Sequence, residues 1–141
     1  MKFKHLEDYC KVKISGNPKA LKRHRHSRWG TYDPSAIDKK AFAVKVESEF
    51  EGKPFKKALM VYLVFNMQRP KSHYRTGKFS HLLKESSPEH CSSKPDLDNL
   101  VKFVLDACNG ILWSDDSIVV ELIARKVYSD NPKTLIFIKE I

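Results

Sequence analysis

Residues 94–129, KPDLDNLVKFVLDACNGILWSDDSIVVELIARKVYS, contain the signals for a helix, a turn and a strand in a single pass. Leu97, Val101, Val104 and Cys108 recur along one side of a helix predicted from about Leu97 to Asn109, with Asp98, Lys102, Asp106 and Asn109 along another. Gly110 is placed to end that helix. The stretch DSIVVELIARKVYS then reads as a strand, and KTLIFIKEI as the next, with Asp130-Asn131-Pro132 as the turn that pairs them.

Upstream, KALMVYLVFNM at 57–67 is apolar and rich in Val, Tyr and Phe, which predicts a central strand covered on both faces. Val12 and Ile14 alternate with Lys11 and Lys13, the pattern of a half-buried strand over 9–15. A helix is expected after Asp33-Pro34, with Ile37, Ala41, Val44 and Phe50 as its apolar face and Gly52 as its end. Strands and helices mix without regular alternation. The expectation is an α+β fold, a small mixed β-sheet flanked by two helices, built as a single domain over 1–141.

Two segments between these elements lack a period. Residues 17–33 form a basic loop that carries Lys22, Arg23, Arg25 and Arg28 among His24, His26, Trp29 and Tyr32. Residues 69–95 form a longer basic loop, expected to be flexible, with Arg69, Lys71, Arg75 and Lys78. A connection of that length inside one domain is usually either functional or disordered.

Charge divides unevenly along the chain. The whole sequence has 26 Lys and Arg against 17 Asp and Glu, a net charge of +9. Six of the acids (Asp96, Asp98, Asp106, Asp115, Asp116 and Glu121) fall within 96–121 beside the lone base Lys102, leaving the remainder more basic still. A positive surface around a negative focus suits a polyanion whose phosphates are attracted by the surround and met at the focus by a bridging cation. The three cysteines, Cys10, Cys91 and Cys108, give neither a disulfide framework nor CxxC spacing. The first residues, MKFKHLEDYC, lack a leader's apolar run, and no stretch approaches a membrane span of ~18 apolar residues. A cytoplasmic protein with no membrane partner is the expectation.

Asp96 stands at the N-cap position of the predicted helix and Asp98 in its first turn, where each could simply accept orphan N–H groups, an effect worth roughly 0.5–2 kcal/mol. Asp115 and Asp116 after the helix open another reading. If the chain folds back, Asp116 comes near Asp96 and Asp98, and three carboxylates that close together repel unless a cation shares the space. That arrangement binds Mg²⁺ through oxygen ligands. Lys102 could then hold a phosphate, or merely pair with Asp98 or Asp106 along the helix.

KPDLDNLVKFVLDACNGILWSDDSIVVEL resembles the signature region of RusA-type Holliday-junction resolvases, endodeoxyribonucleases of bacteria and phages. ISGNPKALKRHRHSRWGTYDP and RPKSHYRTGK are similar to further parts of that family, so the likeness covers nearly the whole chain. The resemblance implies catalytic roles for Asp96, Asp98, Asp116 and Lys102, with Asp115 and Glu121 on acidic positions of less defined role. It implies metal binding by Asp96, Asp98, Asp116 and Asp115, with Mg²⁺ as cofactor and Mn²⁺ as a substitute. It also implies a homodimer that resolves four-way DNA by paired symmetric nicks in recombination and repair. The DNA contacts expected are Lys22, Arg23, Arg25, Arg28, Arg69, Lys71, Arg75 and Lys78. Many relatives carry a proline between two arginines where this chain has His24.

Other candidates divide between roles. Trp29 and Tyr32 either stack on unpaired bases or close the core. His73, His81, His90 and Cys91 lack the regular spacing of a zinc site, and Trp113 is expected as buried support for the acids. The alternative to the nuclease is a basic nucleic-acid-binding module whose acids cap a helix and solvate a turn.

Overall fold

The computed structural model describes residues 8–141. Its elements are β1 (Cys10–Ser15), β2 (Arg25–Ser27), β3 (Gly30–Tyr32), α1 (Ala36–Glu49), β4 (Leu59–Gln68), α2 (Leu97–Ala107), β5 (Val119–Ser129) and β6 (Lys133–Glu140). The mixed sheet runs β1-β6-β4-β5, and β2 and β3 make a separate two-stranded ribbon. This is the expected α+β architecture. Instead of an irregular loop over 17–33, however, the basic segment builds the ribbon, pairing Arg25 with Tyr32 and Ser27 with Gly30.

Alternation along β4 explains which face carries the core. Leu59, Val61, Leu63, Phe65 and Met67 are buried, whereas Met60, Tyr62, Val64 and Asn66 are only half-buried. The strand is interior to the sheet, but it is covered fully on one face and not on both. On the other face the sheet shields itself: Tyr62 stacks on Phe137 at 5.6 Å and the Lys11 ammonium lies 5.7 Å from the same ring.

The chain's last two strands also differ from expectation. β5 runs parallel to β4 and β6 antiparallel to it, so β4 separates them. Residues 130–132 therefore cross the end of β4 and do not close a hairpin. β4 is the more apolar strand, and inserting it between β5 and β6 gives the most apolar segment two hydrogen-bonded neighbours.

α1 docks through Val46, fully buried, and Phe42, whose ring meets Phe103 edge-on at 5.6 Å. The apolar face predicted for it is turned to water at two positions, with Ile37 82% and Val44 65% exposed. Too few apolar residues on α1 left two stripes to choose between, and the contact with α2 decided it. In α2 the buried side is Leu100, Phe103, Val104 and Ala107, about one position round from the predicted stripe. Burial of side chains such as Leu100 and Phe103 is worth roughly 1.5–3 kcal/mol each. That anchors α2 to the sheet and fixes the orientation of its first turn.

Candidate active site

α2 begins where the basic segments meet. Leu21 N–H donates to Asn99 O in the first turn of α2 at 2.9 Å, and Lys22 N–H donates to the buried Ser35 Oγ at 2.8 Å. The β2–β3 ribbon therefore rises beside Asp96–Asn99. From the other side, Lys126 Nζ donates to Pro95 O at 2.7 Å and to Ser93 O, tying the approach to α2 onto β5.

The 69–95 loop is bonded to the same end of β5. Tyr128 N–H donates to Glu89 O at 2.9 Å and Cys91 N–H to Lys126 O at 3.1 Å. His73 sits edge-on to Tyr128 at 4.8 Å, and the Arg69 guanidinium lies 5.3 Å from that ring while donating to Pro88 O at 2.8 Å. Lys71, Arg75 and Lys84 line a hollow of about 510 Å³ with Ser72, Tyr74 and Ser80. Lys78 is exposed nearby, with its ammonium 5.2 Å from the Phe79 ring.

Asp96 occupies the N-cap position of α2, yet its side chain makes no cap hydrogen bond. Its carboxylate, half-exposed, instead accepts from Lys94 Nζ at 2.8 Å. That bond, then the charge of Lys94 and more distantly that of Lys126, holds the Asp96 carboxyl below the usual carboxylate range. Neither lysine is prominent in the sequence. Lys94 lies in a serine-rich loop end, and Lys126 becomes a neighbour only through the strand pairing. Asp98 and Lys102 are exposed one turn apart on α2, and among the described residues neither takes part in an ion pair or side-chain hydrogen bond. Asp106 turns instead to Lys39, at 3.8 Å.

The DD pair divides its labour. Asp115 Oδ2 accepts from Ser117 N–H at 3.1 Å, and side-chain and backbone bonds to Ser117 lower its pKa. Asp116, half-buried at the start of a short 3-10 turn, has no such partner among the described residues. Trp113, three residues before Asp116, is fully buried, its Nε1 donating to Leu105 O at 3.3 Å.

Within one chain the acids do not converge. Lys126, beside Pro95, and Val119, just after Asp116, are seven residues apart on β5, a span of about 20 Å at the strand rise. Asp96 and Asp98 thus sit at one end of the sheet and Asp116 at the other. Among the described residues no group of three or more His, Cys, Asp or Glu is placed to hold a metal ion.

A family model described as endodeoxyribonuclease RusA matches residues 15–139. The chain belongs to the RusA endodeoxyribonuclease family. RusA enzymes are hydrolases that act on DNA, resolving Holliday junctions. A stretch of 50 residues is also 46% identical to the uncharacterized protein YqaN of Bacillus subtilis (strain 168), covering 36% of this chain and 35% of that protein. No helix among the described residues is long and apolar enough to cross a membrane.

Proposed function

We propose that this protein is a magnesium-dependent endonuclease that resolves four-way DNA junctions as a homodimer, with Asp96, Asp98, Asp116 and Lys102 as its working residues. The observation that carries this reading is the set of exposed charges at the start of α2, where the Asp96 carboxylate is bonded only to the exposed Lys94 among the described residues. Asp96 holds the cap position without capping, and Asp98 and Lys102 stand exposed beside it with no ion pair or side-chain hydrogen bond among the described residues. Oppositely charged side chains placed four apart on a helix for structure alone would be expected to pair with one another.

The donor set is made of carboxylate oxygens, hard ligands that suit Mg²⁺, with no imidazole or thiolate among them. Asp96 and Asp98 would hold the cation together with Asp116, and Asp115 would orient Asp116 through the turn it caps. Bound there, magnesium supplies Lewis acidity toward the scissile phosphate. Lys102, one turn from Asp98, places a point charge where a phosphate approaching that end of α2 would lie. Lys22, Arg23, Arg25 and Arg28 from the ribbon and the segment that enters it, and Arg69, Lys71, Arg75 and Lys78 from the loop, flank the same end and suit the arms of a junction.

The separation of Asp116 from Asp96 and Asp98 favours a site shared between two copies. A four-way junction is nearly two-fold symmetric, and a two-fold dimer with two matched sites fits it. The β5 edge offers a means of association. Lys126 O and Tyr128 N–H point to that edge, where they meet Cys91 and Glu89. By alternation the backbone groups of Leu122 and Ala124 face it too, and no described residue pairs with them. An antiparallel pairing centred on Ile123 sets Glu121 opposite Arg125 of a second copy, twice over. It also lays the Asp116 end of one β5 beside the Lys126 end of the other.

The test is incubation of a labelled four-way junction and a linear duplex of matched sequence, with and without Mg²⁺. Metal-dependent paired nicks in the junction alone support the reading. Tight binding of both substrates without any cleavage would favour the binding module.

A further inference from the structure

Of the two tryptophans, Trp113 is fully buried and Trp29 is 84% exposed, at the tip of the β2–β3 ribbon. The exposure is held in place by local structure. Ser27 Oγ accepts from Trp29 N–H and donates to Gly30 O, both at 3.2 Å. Gly30, at φ 121°, takes a backbone conformation that side-chain-bearing residues rarely adopt, so the turn is specified by its sequence. One rung behind, Thr31 Oγ1 and His26 Nδ1 are 2.9 Å apart. The base of the ribbon is fixed by Lys39 Nζ to Asp33 Oδ2 at 2.6 Å and by Leu21 N–H to Asn99 O at 2.9 Å, next to Asp98.

What the indole meets is constrained by its neighbours. Arg28 places its guanidinium 4.8 Å from the Trp29 ring centroid, and Lys22, Arg23 and Arg25 are exposed with no acidic partner among the described residues. An apolar ring set among unpaired cations is suited to a ligand that offers a flat π-face beside phosphates, and that is a nucleobase in a nucleic-acid strand. Inside a continuous duplex each base face is already covered by its neighbours. At the crossover of a four-way junction the stacking is interrupted, and base faces are open.

We propose that Trp29 is a stacking site for an unstacked base at the branch point, and that the ribbon is the wedge that delivers it. The inference rests on the junction-resolving reading and adds to it a residue that recognises the branch. A ribbon anchored on the first turn of α2 would couple insertion at the crossover to the placement of a neighbouring phosphate at Asp98.

Trp29→Ala and Trp29→Phe, with melting temperatures compared to wild type, test it on a junction carrying 2-aminopurine at the branch point or within an arm. Stacking predicts that wild type alters 2-aminopurine emission at the branch and not in the arm. Trp29→Ala should lose that response and bind the junction roughly tenfold more weakly, while binding linear duplex as wild type does. Trp29→Phe should retain most of both. Trp113, being buried, leaves the quenching of exposed tryptophan emission on DNA binding as a second readout of Trp29. If wild type resolves junctions and Trp29→Ala matches it in affinity and branch-point signal, the wedge is refuted and the nuclease reading survives. Equal weakening on duplex and junction would also refute it, as a general contact. If wild type does not distinguish junction from duplex, both readings fall.

Discussion

Replacing Lys22, Arg23 and Arg25 together with Gln probes the ribbon's electrostatic role. All three side chains are exposed, and none has a hydrogen bond or ion pair among the described residues. Their loss should leave the melting temperature within a degree or two, as expected for surface changes away from structural contacts. Each phosphate contact contributes about 0.9 to the slope of log affinity against log salt, so the triple variant should flatten it by about 2.7 for each chain engaged. Between 50 and 200 mM salt, wild-type affinity should then fall roughly 40-fold further than the variant's, per chain. Fluorescence anisotropy of a labelled junction titrated at four salt concentrations measures this. An unchanged slope would remove the ribbon from the DNA surface, and a large drop in melting temperature would show that these cations have structural partners.

Lys94→Gln removes the first cause of the lowered Asp96 pKa, so the carboxyl should titrate closer to the ordinary aspartate range, read by carbon NMR of that residue. The sign follows from the depressed folded value: Lys94 favours the ionised form, an advantage lost as pH falls through that value. Glu121→Arg and Arg125→Glu should each weaken the homodimer by bringing like charges together, and the double variant should restore it, as read by sedimentation. A dimer indifferent to all three variants places the interface elsewhere. Burial pushes the Cys108 thiol up to about 12, so it should resist alkylation in the native protein at pH 8 and react only on unfolding. Rapid native labelling at Cys108 would contradict its burial at the C-cap of α2.

Much of the fold was legible because strong local signals agreed with the packing. α2 and the β4 and β6 strands follow from periodicity and apolar runs, although α2 stops at Ala107 with Cys108 as its C-cap, short of the Asn109–Gly110 end expected from the sequence. The neighbour relations did not follow, because nothing in DNP or in KTLIFIKEI says that β4 will lie between β5 and β6. The face of α1 was ambiguous for a related reason: its few apolar residues allow two stripes, and only Phe103 on α2 selects the one with Phe42 and Val46. At the site, Asp96, Asp98 and Lys102 could be placed on the N-cap and first two turns of one helix from spacing alone. The distance to Asp116 could not, since it depends on β5 running back along the sheet after the connection over 108–118.

In the shared site proposed above, the acids at α2 of one copy work with Asp116 of another on a junction. Asp98→Asn and Asp116→Asn chains, each inactive alone, can be mixed, unfolded, refolded together and assayed for junction nicking in Mg²⁺. A shared site leaves each mixed dimer one site with both acids intact, so the mixture should recover single nicks. If the mixture stays inert while refolded wild type cuts, or if either variant cuts alone, the claim is wrong.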